Sequence, residues 1–243
     1  DVYDTIKLLE KKQFDNVSID LIYALPGQTL ESFRDTLTKA LAFDLPHYSM
    51  YSLILENKTM FMNWVRQGRL ELPTQEVETQ MFEEAIIAMA QSGHHQYEIS
   101  NFAKKGKESM HNLVYWDNEH YFGFGAGASG YLDQKRYKNY GPIQHYMKPL
   151  KEQRLPIFET EEISRANQIE EEMFLGLRKI EGVSLRRFEE KFNKKLTTVY
   201  QHVIAELQQQ QLAVLEEDYF RLTPKGLFIG NDVFEKFLLD KEE

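Results

Sequence analysis

The sequence VSIDLIYALPGQTL at residues 17–30 decides how the first part of the chain is predicted to fold. Residues 17–23 are rich in β-branched and apolar side chains and predict a β-strand, which ends at a Pro-Gly breaker. Thr29 is a suitable N-cap, and residues 30–43 have the apolar spacing of a helix. The stretch therefore predicts a strand that is followed directly by a helix.

The same alternation of elements extends to both sides of this stretch. Further helices are predicted at residues 1–14, 59–67 and 75–92, and further strands at 47–55 and 95–100. The order helix, strand, helix, strand, helix, strand is typical of βαβ units with a parallel sheet. It predicts an α/β fold that corresponds to the later part of a β/α barrel.

The second half of the chain has a different pattern. Residues 101–141 are rich in Gly, Asn, Tyr and Phe and predict a long irregular insertion. From Thr160 onward, three helical patterns, a two-stranded ribbon at 212–222 and a final helix predict a winged-helix-like module. We therefore predict two domains, residues 1–155 and residues 160–243.

Composition excludes several classes of function. The net charge is −9, and residues 160–243 hold 12 lysines and arginines against 17 aspartates and glutamates, so the winged-helix-like module is not expected to bind nucleic acid. No apolar run approaches the roughly 20 residues that a membrane span needs. The chain has no cysteine, which excludes disulfides and thiolate metal sites within it and fits a cytoplasmic protein.

Three segments in the middle of the chain carry a resemblance to a known family. They read YEISNFA at 97–103, HNLVYW at 111–116 and GFGAGAS at 123–129. Together they resemble the HemW branch of radical S-adenosylmethionine proteins, which is related to oxygen-independent coproporphyrinogen III oxidases and acts in haem handling. The resemblance implies the later part of a radical S-adenosylmethionine barrel for the first domain and a HemN-type C-terminal domain for the second.

The family also implies cofactors that this sequence cannot hold alone. Its members begin with a CxxxCxxC loop that binds a [4Fe-4S] cluster, and this chain has no cysteine. We expect the chain to be the C-terminal portion of such a protein. On its own it is expected to hold no cofactor tightly and to be unable to cleave S-adenosylmethionine.

Asp20 is the strongest candidate for a functional residue in the first half of the chain. Period two places Val17, Ile19, Leu21 and Tyr23 on one face of the strand and Asp20 on the other, which we expect to be the covered lumen of the barrel. A covered acid needs a partner, and an arginine or a backbone donor could supply it. The motif DLIYALPGQT resembles the family motif in which this Asp binds S-adenosylmethionine, although Ala24 stands where Gly is more usual.

His111 opens the HNLVYW segment and has two interpretations. It could cap or pin a short helix, with Tyr115 and Trp116 packing beneath it. A neutral imidazole is also the commonest axial ligand of haem iron, and flanking aromatic rings suit a porphyrin. The resemblance, which implies haem handling, makes His111, Tyr115 and Trp116 candidate haem contacts. The other histidines have no metal-ligand spacing and are interpreted as structural or surface residues.

Three functions remain open from the sequence. The first is the C-terminal portion of a HemW-like haem chaperone that binds haem and delivers it to acceptor proteins. The second is an oxygen-independent coproporphyrinogen III oxidase that decarboxylates propionate side chains, and the third is a non-catalytic module that docks partners. Because the barrel is expected to be incomplete, we also predict an exposed strand edge at residues 17–23 that supports homo-oligomers.

Overall fold

The computed structural model describes residues 1–239. The chain divides into two compact units, Asp1–Glu108 and Ser109–Glu243. The predicted domain boundary between residues 155 and 160 falls at the start of a strand in the second unit.

The first unit alternates helices with short strands. Its elements are α1 (Val2–Lys11), β1 (Ser18–Tyr23), α2 (Leu30–Leu41), β2 (His47–Ser52), α3 (Met60–Arg66), α4 (Gln75–Gln91), β3 (His95–Gln96) and β4 (Asn101–Ala103). The four strands form one sheet in the order β1-β2-β4-β3. β1 and β2 are parallel, which confirms the predicted α/β class with a parallel sheet.

The predicted third strand at 95–100 is correct only in its first two residues. After β3 the chain reverses, and β4 lies between β2 and β3 and is antiparallel to both. The buried Glu98 carboxylate holds this reversal because it accepts hydrogen bonds from the Ser100 backbone N–H, at 3.0 Å, and from the Asn101 side-chain amide. The sheet is therefore mixed at this edge.

Period two in β1 separates a core face from an open face. Ile19, Leu21 and Tyr23 pack into the apolar core, which also contains buried side chains of α2 and α4: Phe33, Leu37, Met81, Ala85 and Met89. Ser18, Asp20 and Ile22 lie on the opposite face and are exposed. The division of residues was predicted correctly, but the expectation that both faces are covered was wrong for the described residues.

The predicted start of α2 is confirmed by its cap. The Thr29 hydroxyl accepts a hydrogen bond from the Ser32 backbone N–H at 3.2 Å, and the Ser32 hydroxyl accepts one from the Thr29 backbone N–H at 3.0 Å. This reciprocal pair satisfies two backbone donors that the helix itself leaves unpaired. It fixes where the chain leaves the loop after β1.

The second unit contains two small antiparallel sheets and most of the helices. Its elements are α5 (Met110–Trp116), β5 (Ser129–Leu132), β6 (Lys135–Asn139), α6 (Ile143–Lys151), β7 (Ile157–Glu162), α7 (Arg165–Gly176), β8 (Val183–Ser184), α8 (Leu185–Phe192), α9 (Leu196–Val199), α10 (Gln201–Gln209), β9 (Ala213–Glu216), β10 (Tyr219–Leu222), α11 (Pro224–Phe228) and α12 (Gly230–Glu235). The sheets have the strand orders β5-β6-β7 and β8-β10-β9.

The winged-helix-like order of the last part is confirmed, with two breaks. The predicted final helix is divided at Ile229 into α11 and α12. The predicted helix at 197–210 is divided at Tyr200 into α9 and α10. The Tyr200 hydroxyl donates to the Phe237 carbonyl at 3.1 Å, and the two rings are in edge contact at 5.0 Å. Burial in this core, which includes Phe188 and Phe220, therefore outweighs continuity of the helix. No helix within residues 1–239 is long and apolar enough to cross a membrane.

Candidate functional site

Asp20 lies in a row of polar side chains on the open face of the first unit's sheet. The strand register places Asp20 opposite Ser49 and places Ser49 opposite Asn101. Ser18 lies opposite His47 one step along the same face. Three strands that are distant in sequence thus bring one carboxylate, two hydroxyls, an imidazole and an amide to one face of the sheet. Ser18 and Asp20 are exposed on this face, whereas His47, Ser49 and Asn101 are buried.

A hydrogen-bonded chain crosses this face beside Asp20. Ser18 Oγ lies 2.7 Å from His47 Nδ1, and His47 Nε2 lies 2.9 Å from Tyr97 Oη. His47 and Tyr97 are buried. Burial lowers the pKa of His47 below its ordinary value, and the Asp20 carboxylate only partly opposes this shift. The imidazole is therefore neutral at pH 7.

The row ends at a buried acceptor. Asn101 uses its amide N–H group to bind Glu98, and its Oδ1 atom has no hydrogen-bond partner among the described residues. Asp20 itself is exposed, and no ion pair to it occurs within residues 1–239. Of the two partners expected for this acid, an arginine or a backbone donor, the arginine is not found there. An exposed carboxylate without a cation can accept hydrogen bonds from ligand hydroxyls, such as those that S-adenosylmethionine carries.

The loop after β1 has an unusual backbone. Ala24 has a φ of 57° and is buried, so an L-residue with a side chain occupies the left-handed region that favours glycine. The departure from the family motif is thus a change of residue at a position with a glycine-like backbone. Gly27 has a φ of 72°, and the Leu25 N–H donates to the Gln28 side chain at 3.1 Å.

A second candidate site lies on α5 in the second unit. The Ser109 hydroxyl accepts from the Asn112 N–H at 3.4 Å and caps the helix, so His111 is not its N-cap. His111 is exposed, and its ring meets Tyr115 edge-on at 5.0 Å between centroids. Tyr115 in turn contacts Tyr121 at 4.6 Å. The structure thus brings two of the three predicted haem contacts together.

Trp116 lies elsewhere on the same helix. A residue five positions after His111 is rotated about 140° around an α-helix. The Trp116 ring packs under the Arg178 guanidinium at 4.6 Å and lines a cavity of about 230 Å³, together with Lys179 and Arg187. Trp116 therefore does not share the side of α5 on which His111 and Tyr115 are in contact.

The chain does not fit the cluster that the resemblance implies. It contains no cysteine, and within residues 1–239 no group of three or more histidine, aspartate or glutamate side chains could hold a metal ion. Thiolates are the usual ligands of [4Fe-4S] clusters. No step that uses a cluster can be assigned to residues of this chain.

His47 lies on the polar face beside Asp20. From the sequence it is interpreted only as a structural or surface residue. Its position at the start of a strand, facing the same side as Ser49, was a usable signal. The signal is weak, because His47 and Ser49 are buried like Tyr48 and Met50, so burial does not distinguish the two faces of β2.

Comparison with known proteins supports the resemblance. Residues 163–229 match the HemN C-terminal domain family. The chain is 48% identical over 239 residues to "Heme chaperone HemW" of Lactococcus lactis, covering 98% of this chain and 62% of that protein. It is 48% identical over 238 residues to "Heme chaperone HemW" of Bacillus subtilis, covering 98% and 63%. The chain thus spans about three fifths of the length of these relatives.

A solved structure supports the fold. The chain matches the coproporphyrinogen III oxidase HemN of Escherichia coli, described as a radical SAM enzyme, with a TM-score of 0.75. The match covers 98% of this chain and 58% of that chain, at 18% sequence identity. At this identity the match shows a shared fold and does not transfer the oxidase reaction.

Proposed function

Because this chain is HemW-like over nearly its whole length, we propose that it is the C-terminal portion of a haem chaperone that binds haem and delivers it to acceptor proteins in the cytoplasm. The observation that carries the proposal for this chain's own residues is the exposed His111 in edge contact with Tyr115. Both belong to the HNLVYW segment that prompted the resemblance.

The position of His111 suits reversible haem binding. An exposed imidazole can reach the iron without unpacking the protein core, and a neutral imidazole nitrogen supplies the lone pair. The Tyr115 ring restricts how the imidazole turns, which prepares it for one direction of ligation. A ligand at the surface also leaves haem accessible to an acceptor, as delivery requires.

In the full-length protein we propose that Asp20 contributes to an S-adenosylmethionine site. Its carboxylate would accept hydrogen bonds from ligand hydroxyl groups on the open face of the sheet. S-adenosylmethionine and a [4Fe-4S] cluster together supply one-electron cleavage of the sulfonium. The ligands of such a cluster lie outside this sequence, because the chain has no cysteine.

A haem titration tests the chaperone proposal. Wild type should bind haem with a histidine-type Soret band, and His111→Ala should bind more weakly with a shifted band. His145→Ala is the matched control, because His145 is also exposed and edge-on to a tyrosine, Tyr140, at 6.1 Å. Trp116→Phe tests the third predicted contact. If His111→Ala binds haem with unchanged affinity and spectrum, His111 is not the ligand.

A parallel assay separates chaperone from oxidase. Coproporphyrinogen III should remain undecarboxylated in the presence of the full-length protein, while haem should pass from that protein to an apo-acceptor. Decarboxylation that matches a coproporphyrinogen oxidase would replace the chaperone proposal with the oxidase. Acceptor binding without any haem binding would favour a docking module.

A further inference from the structure

We infer that His47 is a positioning residue for ligand binding at Asp20: it orients the Ser18 hydroxyl as a second polar group beside the carboxylate, so that the two together hold a hydroxylated ligand group such as a ribose. The inference rests on the proposed S-adenosylmethionine site and names residues that the resemblance does not assign to it.

His47 forms a hydrogen-bonded bridge between Ser18 and Tyr97. His47 lies on β2, directly between Ser18 on β1 and Tyr97 just after β3, and each ring nitrogen has a hydroxyl partner at 2.7 or 2.9 Å. Its neighbour on β4 is Ala103, a small residue. The imidazole is buried while Ser18 is exposed. A buried ring is thereby fixed by two partners, and one of these lies at the surface where a ligand would bind.

The direction of the two hydrogen bonds of the His47 ring depends on which ring nitrogen carries the proton. A neutral imidazole has one donor and one acceptor nitrogen, whereas each hydroxyl can do both. When Nδ1 carries the proton, it donates to Ser18 Oγ, and the Ser18 O–H can donate outward. When Nε2 carries the proton, it donates to Tyr97 and Ser18 donates inward to Nδ1. The His47 tautomer thus sets what Ser18 offers to a ligand.

Ser18 and Asp20 offer a ligand complementary hydrogen-bonding groups. Side chains two residues apart on a strand stand about 6–7 Å apart on one face. A carboxylate only accepts hydrogen bonds, and a hydroxyl held by Nδ1–H can donate. A sugar ring can bridge two such groups, because its hydroxyls donate and its oxygens accept.

A ligand at Asp20 does not have to displace an ion pair between Asp20 and His47. Burial and the nearby His94 lower the pKa of His47, and the Asp20 carboxylate opposes this shift only in part. A neutral His47 leaves the Asp20 carboxylate available to ligand donors. A lysine or arginine at this position would instead form an ion pair with it.

The test is S-adenosylmethionine binding to the full-length protein that contains this chain, followed by NMR of 15N-labelled histidine rings. Wild type should show ligand-dependent shifts of the His47 ring signals. His47→Gln and Ser18→Ala should each raise Kd by about 5-fold, as expected for one hydrogen bond. His47→Asn should retain most of the affinity, because its amide N–H can replace Nδ1–H toward Ser18.

A matched control removes another buried histidine from the same unit. His94 bonds to Ser92 Oγ at 2.9 Å and to the Leu45 carbonyl at 2.7 Å, and it packs edge-on against Tyr48 of the core. His94→Asn should bind S-adenosylmethionine as wild type does. Thermal unfolding of every variant verifies that it is folded.

The outcomes separate this inference from the proposed function. If Asp20→Asn weakens binding while His47→Gln and Ser18→Ala bind as wild type does, the inference about His47 is wrong and the Asp20 site stands. If the full-length wild type binds no S-adenosylmethionine, both are wrong. Equal losses in His47→Gln and His47→Asn would show that the ring, and not its bond to Ser18, matters, and would also overturn the inference.

Discussion

The buried carboxylate of Glu172 accepts a hydrogen bond from Lys191 Nζ at 2.6 Å. Glu172 also accepts from the Asn118 side-chain amide at 3.2 Å, and Lys191 donates to the Asn118 carbonyl at 3.1 Å. These contacts connect α7, α8 and the segment after α5 within the second unit. The ion pair and its hydrogen bonds to Asn118 thus join the segment after α5 to the winged-helix-like part of the same unit.

Removing the cation from this pair should destabilise the second unit. Lys191→Met leaves a buried carboxylate without its charged partner, and we expect a loss of about 2 kcal/mol in the free energy of unfolding. Urea unfolding followed by circular dichroism measures it. The control is Lys236→Met, whose ion pair with Glu206 at 2.8 Å is more exposed and should change stability by less than about 1 kcal/mol. Equal effects of the two substitutions would contradict the prediction.

The lowered pKa of His47 predicts a pH dependence of stability. The unfolded chain has a histidine pKa near the ordinary 6.5, whereas burial lowers the pKa in the folded chain. Below about pH 6.5 the unfolded state binds more protons, so stability is full above that pH and is lost as pH falls through the folded pKa.

Thermal midpoints between pH 5 and pH 8 measure this dependence. Wild type should lose stability toward pH 5, and His47→Gln should lose less over the same range because it has no proton to gain. Carboxylates such as Asp44 and Glu84, whose pKa values are lowered by Lys104 and Arg34, are present in both proteins and cancel in the difference. Parallel curves for the two proteins would show that His47 does not titrate with folding.

The sequence predicted elements whose signals are local. The strand β1 and the start of α2 follow from alternation over seven residues and from the Thr29 cap, and both are confirmed. The insertion of β4 depends on pairing of residues 101–103 with residues 47–49, and no local pattern encodes that pairing. The polar face beside Asp20 could therefore be predicted only for β1 itself.

The strand β7 shows a second limit. Its sequence IFETEE is mostly exposed and lacks apolar alternation, so it was not predicted as a strand. It is held by pairing with β6, where Lys135 lies opposite Glu162 and forms an ion pair with it at 2.7 Å. Such pairs stabilise a sheet only once the partner strand is known. His111 and Tyr115 meet because helical spacing is local, and that contact was predictable.

We expect alanine substitution to destabilise the protein more at Gly182 than at Gly106. Its φ is 86°, and an added Cβ would lie 2.3 Å from the Phe220 carbonyl oxygen. Gly182→Ala should lower the free energy of unfolding by about 3 kcal/mol, from backbone strain and overpacking together. Gly106→Ala has a φ of 77° with nothing near the added Cβ, so strain alone should cost about 1 kcal/mol. Equal losses in denaturant unfolding would contradict the steric part.

The strand β1 forms one edge of the first unit's sheet. Among the described strands, β1 pairs only with β2, so the predicted edge at residues 17–23 is present in the structure. An unpaired parallel strand offers backbone N–H and C=O groups to another chain. Ile22 on this strand is 52% exposed and adds apolar surface to the edge. We therefore expect the chain to associate with itself as its concentration rises.

A lysine on the edge should suppress this association. Ile22→Lys places a charge beside the unpaired backbone, a feature that native edge strands use against pairing. The matched control is Ile54→Lys, which adds the same charge at a position that is 81% exposed and lies outside the strands. Light scattering at increasing concentration should show wild type and Ile54→Lys growing in mass while Ile22→Lys stays monomeric. A wild-type chain that remains monomeric throughout, or equal association of both variants, would show that β1 is not the contact.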